Sequence, residues 1–293
     1  MVKIAIIGAN GQLGSDILDV LAAAGHEVFP LNHDCIEMAD TESIRRAIEL
    51  TAPGLVINTA AMHHVEKCES EPLQAYRVNA LGPATLAAVC RDAGIVLYHI
   101  STDYVFDGLK KEPYLEIDRP APLNVYANTK LAGEYYVSAT WARHCILRVS
   151  GIYGHRPCRA KGGNFVETML RLAAEREEVR VVDDEFLTPT FTVDIAVQIK
   201  AMIEAEVEFG LYHVTAAGDC SWYDFAREIF SLAESNVRLN RAEPGEFAVK
   251  VQRPKYSVLE NVHLQEQALD RMPHWKDGLK RYLESRPNSK LKS

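Results

Sequence analysis

The sequence predicts an α/β fold, in which a doubly wound parallel sheet is covered by helices and followed by a smaller α/β unit toward the C-terminus. Two observations predict it. Short apolar runs rich in β-branched residues alternate with longer helical patterns through the first half of the chain. A glycine-rich turn joins the first of those runs to the first helical pattern.

Residues 2–7 are a nearly unbroken apolar run ending at Gly8, as a strand buried on both faces requires. Residues 15–24 carry Ile17, Leu18 and Leu21 at helical spacing and stop at Gly25, a residue suited to end a helix. A second strand is predicted at 27–31, a second helix at 41–50 and a third strand at 54–60. A long helix is predicted over 72–93, ending at Gly94, then a buried strand at 95–100 and a loop rich in Asp, Gly and Pro up to Pro122. A helix at 124–139 and a strand at 144–149 complete the alternation, which implies right-handed crossovers in a parallel sheet.

The second half is less regular. Helices are predicted at 165–176, 192–204 and 221–234, and strands at 179–182 and 210–214. The 192–204 helix is expected to return to the first unit, which makes the division discontinuous. Residues 1–150 with about 188–205 form the nucleotide-binding unit, 151–187 with 206–285 the smaller one, and 286–293 a polar, basic tail.

The chain has 293 residues, 47% apolar and 25% charged, with a formal net charge of −8. That charge argues against nucleic acid or an anionic membrane as partner, because both reward a basic surface. No apolar run reaches the roughly eighteen residues of a membrane span, and the N-terminus lacks a signal-peptide pattern. The cysteines (Cys35, Cys68, Cys90, Cys145, Cys158 and Cys220) are scattered without C-x-x-C spacing, so reduced thiols and a cytoplasmic protein are expected.

Gly8-Ala9-Asn10-Gly11-Gln12-Leu13-Gly14 follows the first strand and opens the first helix, with G-x-x-G-x-x-G spacing. Glycines here permit a sharp turn and close approach to a pyrophosphate, while the helix N-terminus presents N–H groups to it. A Rossmann-type nucleotide-binding domain is the reading, with Gly8, Asn10 and Gly14 among its contacts. The second strand ends at Asn32, which can hydrogen-bond a ribose but neither repels a 2′-phosphate as Asp would nor neutralises it as Arg would. Either NADH or NADPH is therefore expected.

Tyr126-Ala127-Asn128-Thr129-Lys130 is the only Y-x-x-x-K in the chain. On a helix, positions i and i+4 share a face, so phenol and ammonium can point into one cleft. The cation is expected to lower the phenol's pKa and ready it for proton transfer to a carbonyl oxygen. Ser101-Thr102 stand one strand-plus-loop unit earlier, at a strand's C-terminal edge, where open α/β sheets bind ligands.

These features together resemble the extended short-chain dehydrogenase/reductases and, within them, the dTDP-4-dehydrorhamnose reductase family. The resemblance runs over nearly the whole chain, on residues 8–14, 58–72, 101–108 (STDYVFDG), 121–134 (APLNVYANTKLAGE), 163–176 and 253–257. It implies Thr102, Tyr126 and Lys130 as the catalytic set and Gly11, Gln12 and Leu13 at the pyrophosphate. It further implies Glu37 and Met38 near the adenine, and Ala60, Ala61 and Met62 under the cofactor. Asp103 would touch the sugar, while Lys67 and the Arg253 loop would face the nucleotide-sugar. The expected reaction is reduction of a nucleotide-linked 4-keto-6-deoxysugar by NADH or NADPH, with a homodimer left open and no metal expected.

Three positions depart from the family pattern. The usual R-T-S-W-x-Y-G reads Arg148-Val149-Ser150-Gly151-Ile152-Tyr153-Gly154, so a large aromatic wall of the sugar pocket is missing at Gly151. A basic loop at 155–161 is enlarged and is the candidate to refill that gap. The family's Asp at the end of strand two is Asn32.

Two other readings compete. An epimerase or dehydratase shares the fold, but dehydratases keep an acidic pair after the Thr, whereas Thr102 is followed by the lone Asp103. A non-enzymatic regulator resembling the methionine adenosyltransferase beta subunit shares STDYVFDG; retention of Thr102, Tyr126 and Lys130 argues for activity. The neighbouring His63 and His64 are read as pocket lining or loop rather than metal ligands. Trp222, Tyr223 and Phe225 are read as core of the smaller unit, and Asp183-Asp184-Glu185 as a solvated turn.

Overall fold

A computed structural model describes residues 1–156, 163–243, 246 and 250–286. The first half comprises β1 (Lys3–Ile7), α1 (Gln12–Ala23), β2 (Glu27–Leu31), α2 (Thr41–Thr51) and β3 (Leu55–Asn58). Then come α3 (Val65–Ser70), α4 (Pro72–Tyr76), a π-helical turn (Arg77–Leu81) and α5 (Gly82–Ala93). β4 (Val96–Thr102), α6 (Val125–Thr140) and β5 (His144–Val149) close this half. The second half contains β6 (Ile152–Tyr153), α7 (Phe165–Glu175), β7 (Glu178–Val181), β8 (Phe186–Leu187), β9 (Thr190–Phe191) and α8 (Thr192–Glu204). It ends with β10 (Gly210–His213), β11 (Cys220–Ser221), α9 (Trp222–Leu232), β12 (Arg238–Arg241), α10 (Val262–Glu266) and α11 (Trp275–Ser285).

The central sheet is parallel throughout, in the order β2-β1-β3-β4-β5-β10. Its two faces take alternate residues of the same strand. Ile4 and Ile6 pack with Leu13 and Ile17 of α1 and with Ile195 and Ile199 of α8. Ala5 and Ile7 pack with Ile44 and Ile48 of α2 and with Leu86 and Val89 of α5. The chain order reverses between β1 and β3, which opens a crevice beyond their C-terminal ends, the place where such sheets bind ligands. A further core is built around Tyr153, Val166, Phe225 and Leu279.

The described structure corrects several expectations. The strand expected at 210–214 in the smaller unit is β10, which pairs with β5 at the edge of the central sheet. The 72–93 helix is interrupted. Pro83 has no N–H for the Asn79 carbonyl, so the chain widens to a π-turn, closed by the Gly82 N–H on the Arg77 carbonyl. The strand expected to stop at 100 continues through Ser101 and Thr102. Helix α11 was not foreseen, although Trp275, Leu279, Tyr282 and Leu283 have the spacing of a buried helical face. Of the basic 155–161 loop, residues 157–161 lie outside the described residues, as do 287–293 of the tail.

Candidate active site

A cleft of about 850 Å3 runs along the C-terminal ends of β1, β3 and β4 and on to Phe165, Phe186 and Trp222. Its nucleotide end begins at the glycine turn. Gly8 has φ +80, and a Cβ there would lie 2.7 Å from Thr59 Oγ1; a Cβ on Gly14 would lie 2.3 Å from the Gly8 carbonyl oxygen. Only bare backbone makes this turn. No side chain caps α1 at Gly11, so its first N–H groups are presented at the cleft. The cradle fits a dinucleotide pyrophosphate. Asn10, Gln12, Leu13, Asn32, Glu37, Met38, Ala60 and Ala61 also line the cleft. At the far end of this stretch, Glu37 Oε2 stands 3.3 Å from His33 Nδ1.

Met62 and Lys67 do not line the cleft. The Met62 backbone is anchored by Asn79, a fully buried residue of the π-turn. The Asn79 amide accepts from the Met62 N–H at 2.8 Å and donates to its carbonyl at 2.9 Å and to Thr129 Oγ1 at 3.0 Å. Asn79 thus ties the floor of the nucleotide site to helix α6, a role the sequence reading missed; the signal was Pro83 inside a helical run. Lys67 is exposed on α3 and pairs with Glu71 at 3.8 Å.

Thr102, Asp103, Tyr126, Lys130, Gly151 and Arg253 do line the cleft. Helix α6 is started by Asn124, whose side chain accepts from the Ala127 N–H at 2.9 Å. Tyr126 and Lys130 then fall on the face against β4. Burial raises the Tyr126 phenol well above its ordinary range, opposed by a hydrogen bond with Thr102. Burial lowers Lys130 to about 8, opposed by the Glu134 carboxylate. The sequence-based expectation that the ammonium lowers the phenol is therefore corrected. Lys130 Nζ donates to the Ile100 carbonyl at 2.6 Å, and burial dominates at Tyr126, which stays protonated.

Asp103 is a hub. Its carboxylate accepts from Thr102 Oγ1 at 3.0 Å, Ser150 Oγ at 2.8 Å and Ser257 Oγ at 2.6 Å. Burial raises its pKa and the three hydroxyls, Ser257 foremost, pull it back. Beneath it, Glu134 joins Arg148 and accepts from Ser101 Oγ.

At the sugar end, Gly151 has φ +55, and a Cβ there would lie 2.7 Å from Leu187 Cδ1 and 2.8 Å from the Thr188 carbonyl oxygen. The β8–β9 segment, absent from the sequence-based candidates, closes on this position. His155 instead stacks on Tyr282, with ring centroids 5.3 Å apart, and the Arg156 carbonyl accepts from Gln12 Nε2 at 3.3 Å. Arg253 reaches across to Glu66 of α3 at 2.8 Å. The Asp183-Asp184-Glu185 turn is an ion-pair ladder, with Asp183 on Arg241 at 2.5 Å and Asp184 on Lys255 at 2.7 Å. Trp222 and Phe225 line the cleft while their other contacts belong to the smaller core.

The family model for the RmlD substrate binding domain matches residues 2–287. The spore coat polysaccharide biosynthesis protein SpsK of Bacillus subtilis (strain 168) is 37% identical, over 99% of each chain. The dTDP-4-dehydrorhamnose reductase of Escherichia coli (strain K12) is 35% identical, over 96% of this chain and 97% of that one. A crystal structure of dTDP-4-dehydrorhamnose reductase from Bacillus anthracis str. Ames in complex with NADP superposes with a TM-score of 0.92 at 35% identity, covering 97% of this chain and 99% of that one. With the glycine cradle and the Y-x-x-x-K helix in one cleft, the chain belongs to the dTDP-4-dehydrorhamnose reductase family.

Proposed function

We propose that this protein reduces the 4-keto group of a dTDP-linked 6-deoxysugar, dTDP-4-dehydro-L-rhamnose first among them, at the expense of NADPH or NADH. The observation that carries the reading is the meeting of Thr102, Tyr126 and Lys130 with the glycine cradle along one continuous cleft. When bound, the reduced nicotinamide supplies the hydride. Tyr126, kept protonated by burial, gives its phenolic proton to the oxygen that becomes the hydroxyl. Thr102, whose hydroxyl lies between the phenol and Asp103, positions the phenol by a hydrogen bond. Lys130, seated beneath, restores the charge balance of the centre. Arg253, paired with Glu66, is the donor offered to the substrate diphosphate.

The unit around α7, β7, β8 and α9 is read as the sugar-nucleotide half, facing the nucleotide-binding half across the cleft. A homodimer is the proposed assembly, because adjoining helices leave Leu73, Tyr76, Leu81, Tyr135 and Tyr136 exposed. No helix among the described residues is long and apolar enough to cross a membrane. The described cysteines are free thiols, which supports a cytoplasmic setting.

Purified protein should consume NADPH or NADH in the presence of dTDP-4-dehydro-L-rhamnose and release dTDP-L-rhamnose. Folded protein that turns over neither cofactor would overturn the reading.

A further inference from the structure

The lysine of the catalytic helix sits in a chain of buried hydrogen bonds that leads back to the cofactor floor. Asn58 and His99 are register neighbours on β3 and β4, and both are fully buried. The Ala60 N–H donates to Asn58 Oδ1 at 3.1 Å, while Asn58 Nδ2 lies 3.2 Å from His99 Nδ1. His99 Nε2 lies 3.5 Å from Lys130 Nζ. Lys130 Nζ in turn donates to the carbonyl of Ile100, the residue after His99.

The donors settle the proton positions. A backbone N–H can only donate, so it fixes the Asn58 amide with its oxygen toward Ala60 and its NH2 toward His99. That NH2 can only donate, so His99 Nδ1 is a bare lone pair. A neutral imidazole must then carry its hydrogen on Nε2, the nitrogen that faces Lys130. His99 stays neutral because it is fully buried and Lys130 and His144 stand nearby. An Nε2–H aimed at an amine is satisfied only by a nitrogen lone pair; an ammonium would oppose N–H to N–H. The helix cannot back away easily, since Gly133, three residues on, already presses its backbone against the Asn79 carbonyl.

We propose that His99, locked in its Nε2–H tautomer by Asn58, is a positioning residue that seats the Lys130 amine against Ile100 and sets its proton occupancy. The inference rests on the reading of Lys130 as part of the catalytic set. It makes Lys130 a group that gains and loses a proton under working conditions, with the state of residues 58–60 transmitted to it. The other titratable groups around Lys130 are Glu134, whose carboxylate favours the ammonium and is tied to Arg148, and Tyr126, one turn earlier on α6. The burial-lowered value near 8 runs in the same direction as the tautomer argument.

The test uses the full chain without added ligand, with 15N-labelled histidine and 13C-labelled lysine followed by NMR across pH. His99 should show the neutral Nε2–H pattern throughout, and the Lys130 Cε resonance, identified by its loss in Lys130→Met, should titrate well below ordinary lysines. Asn58→Asp offers Nδ1 an acceptor, so it should invert the tautomer and raise the Lys130 midpoint by about one pH unit. Asn58→Leu releases the tautomer without adding charge and should move the midpoint in the same direction. An Nδ1–H tautomer in the wild type would overturn the proposal. So would a Lys130 midpoint that shifts with Asn58→Asp but not with Asn58→Leu, since that is charge alone. In turnover assays the limb of kcat/KM that follows Lys130 should move by the same amount. A protein that reduces no keto-sugar at all removes the functional reading, while the NMR titrations still decide the role of His99.

Discussion

The Glu134 carboxylate and the Arg148 guanidinium form a two-bonded fork beneath the catalytic helix, Oε2 to Nη2 at 2.7 Å and Oε1 to Nε at 3.0 Å, with both side chains sealed from water. The fork bolts α6 to β5, and Ser101 of β4 adds a third bond. Removing one partner leaves a buried charge unmatched, so Glu134→Ala should cost about 3–5 kcal/mol of stability. Replacing both, Glu134→Leu with Arg148→Met, should recover most of that loss. Urea unfolding of the three proteins measures the difference, and a single variant as stable as the wild type would contradict the bolt.

Tyr126→Phe removes the proton donor while keeping the ring against Tyr104, whose centroid lies 6.1 Å away. Turnover should fall by roughly two to four orders of magnitude, with dinucleotide affinity nearly intact. Fluorescence titration with NADPH beside steady-state kinetics separates the two effects. Near-normal turnover would place proton donation elsewhere.

Lys130 is expected to trade stability for function. Its pKa falls from 10.5 in the reference state to about 8 in the fold, so the folded state penalises the ammonium. That penalty is complete below pH 8 and fades as pH rises toward 10.5, where the unfolded chain also loses the proton. Lys130→Met should therefore be more stable by roughly 2 kcal/mol at neutral pH, after loss of the bond to Ile100 is deducted. Its advantage should shrink on titration above pH 8, and its turnover should collapse. Thermal melts across pH read the trend, and an advantage that grows with pH would contradict it.

Gly151→Trp will not restore the aromatic wall seen in the family pattern. The backbone is left-handed at this position, and the first side-chain atom meets Leu187, Thr188 and Pro189. The variant should lose on the order of 2–4 kcal/mol and raise KM for the sugar nucleotide. Leu187→Ala, which opens space beside Gly151, should relieve part of the loss. A stable Gly151→Trp protein with lowered KM would show that the β8–β9 segment yields.

Features written in consecutive residues were legible. The turn at 8–14 follows an apolar run and precedes a helical one, so both its conformation and its ligand class could be read from spacing. Tyr126 and Lys130 sit one helical turn apart, and the 192–204 helix shows its buried face in Ile195, Ile199 and Met202. What escaped depends on pairings between distant segments. Residues 210–213 read as a short strand whichever sheet they join, and only the β5 edge decides. The electrostatic state of Tyr126 escaped because a helix face does not reveal what lies behind it. The carbonyl that claims Lys130 belongs to Ile100, thirty residues earlier. Lys67 looked like a phosphate ligand in its motif but faces outward from the first turn of α3, where no periodic pattern marks the inner side.

The π-turn at Arg77–Leu81 has a mechanical consequence. A continuous α-helix from Pro72 to Ala93 would place the residues of this stretch on different azimuths, and the side chain at 79 would no longer meet both Met62 and Thr129. The wide turn works as a gear tooth: it meshes the strand-end loop at 60–62 with the helix bearing Tyr126 and Lys130, so neither can slide along the other. Deleting one residue from this stretch together with Pro83→Ala would let the helix run in regular geometry and disengage the two parts, leaving a better-formed helix in a less accurate machine.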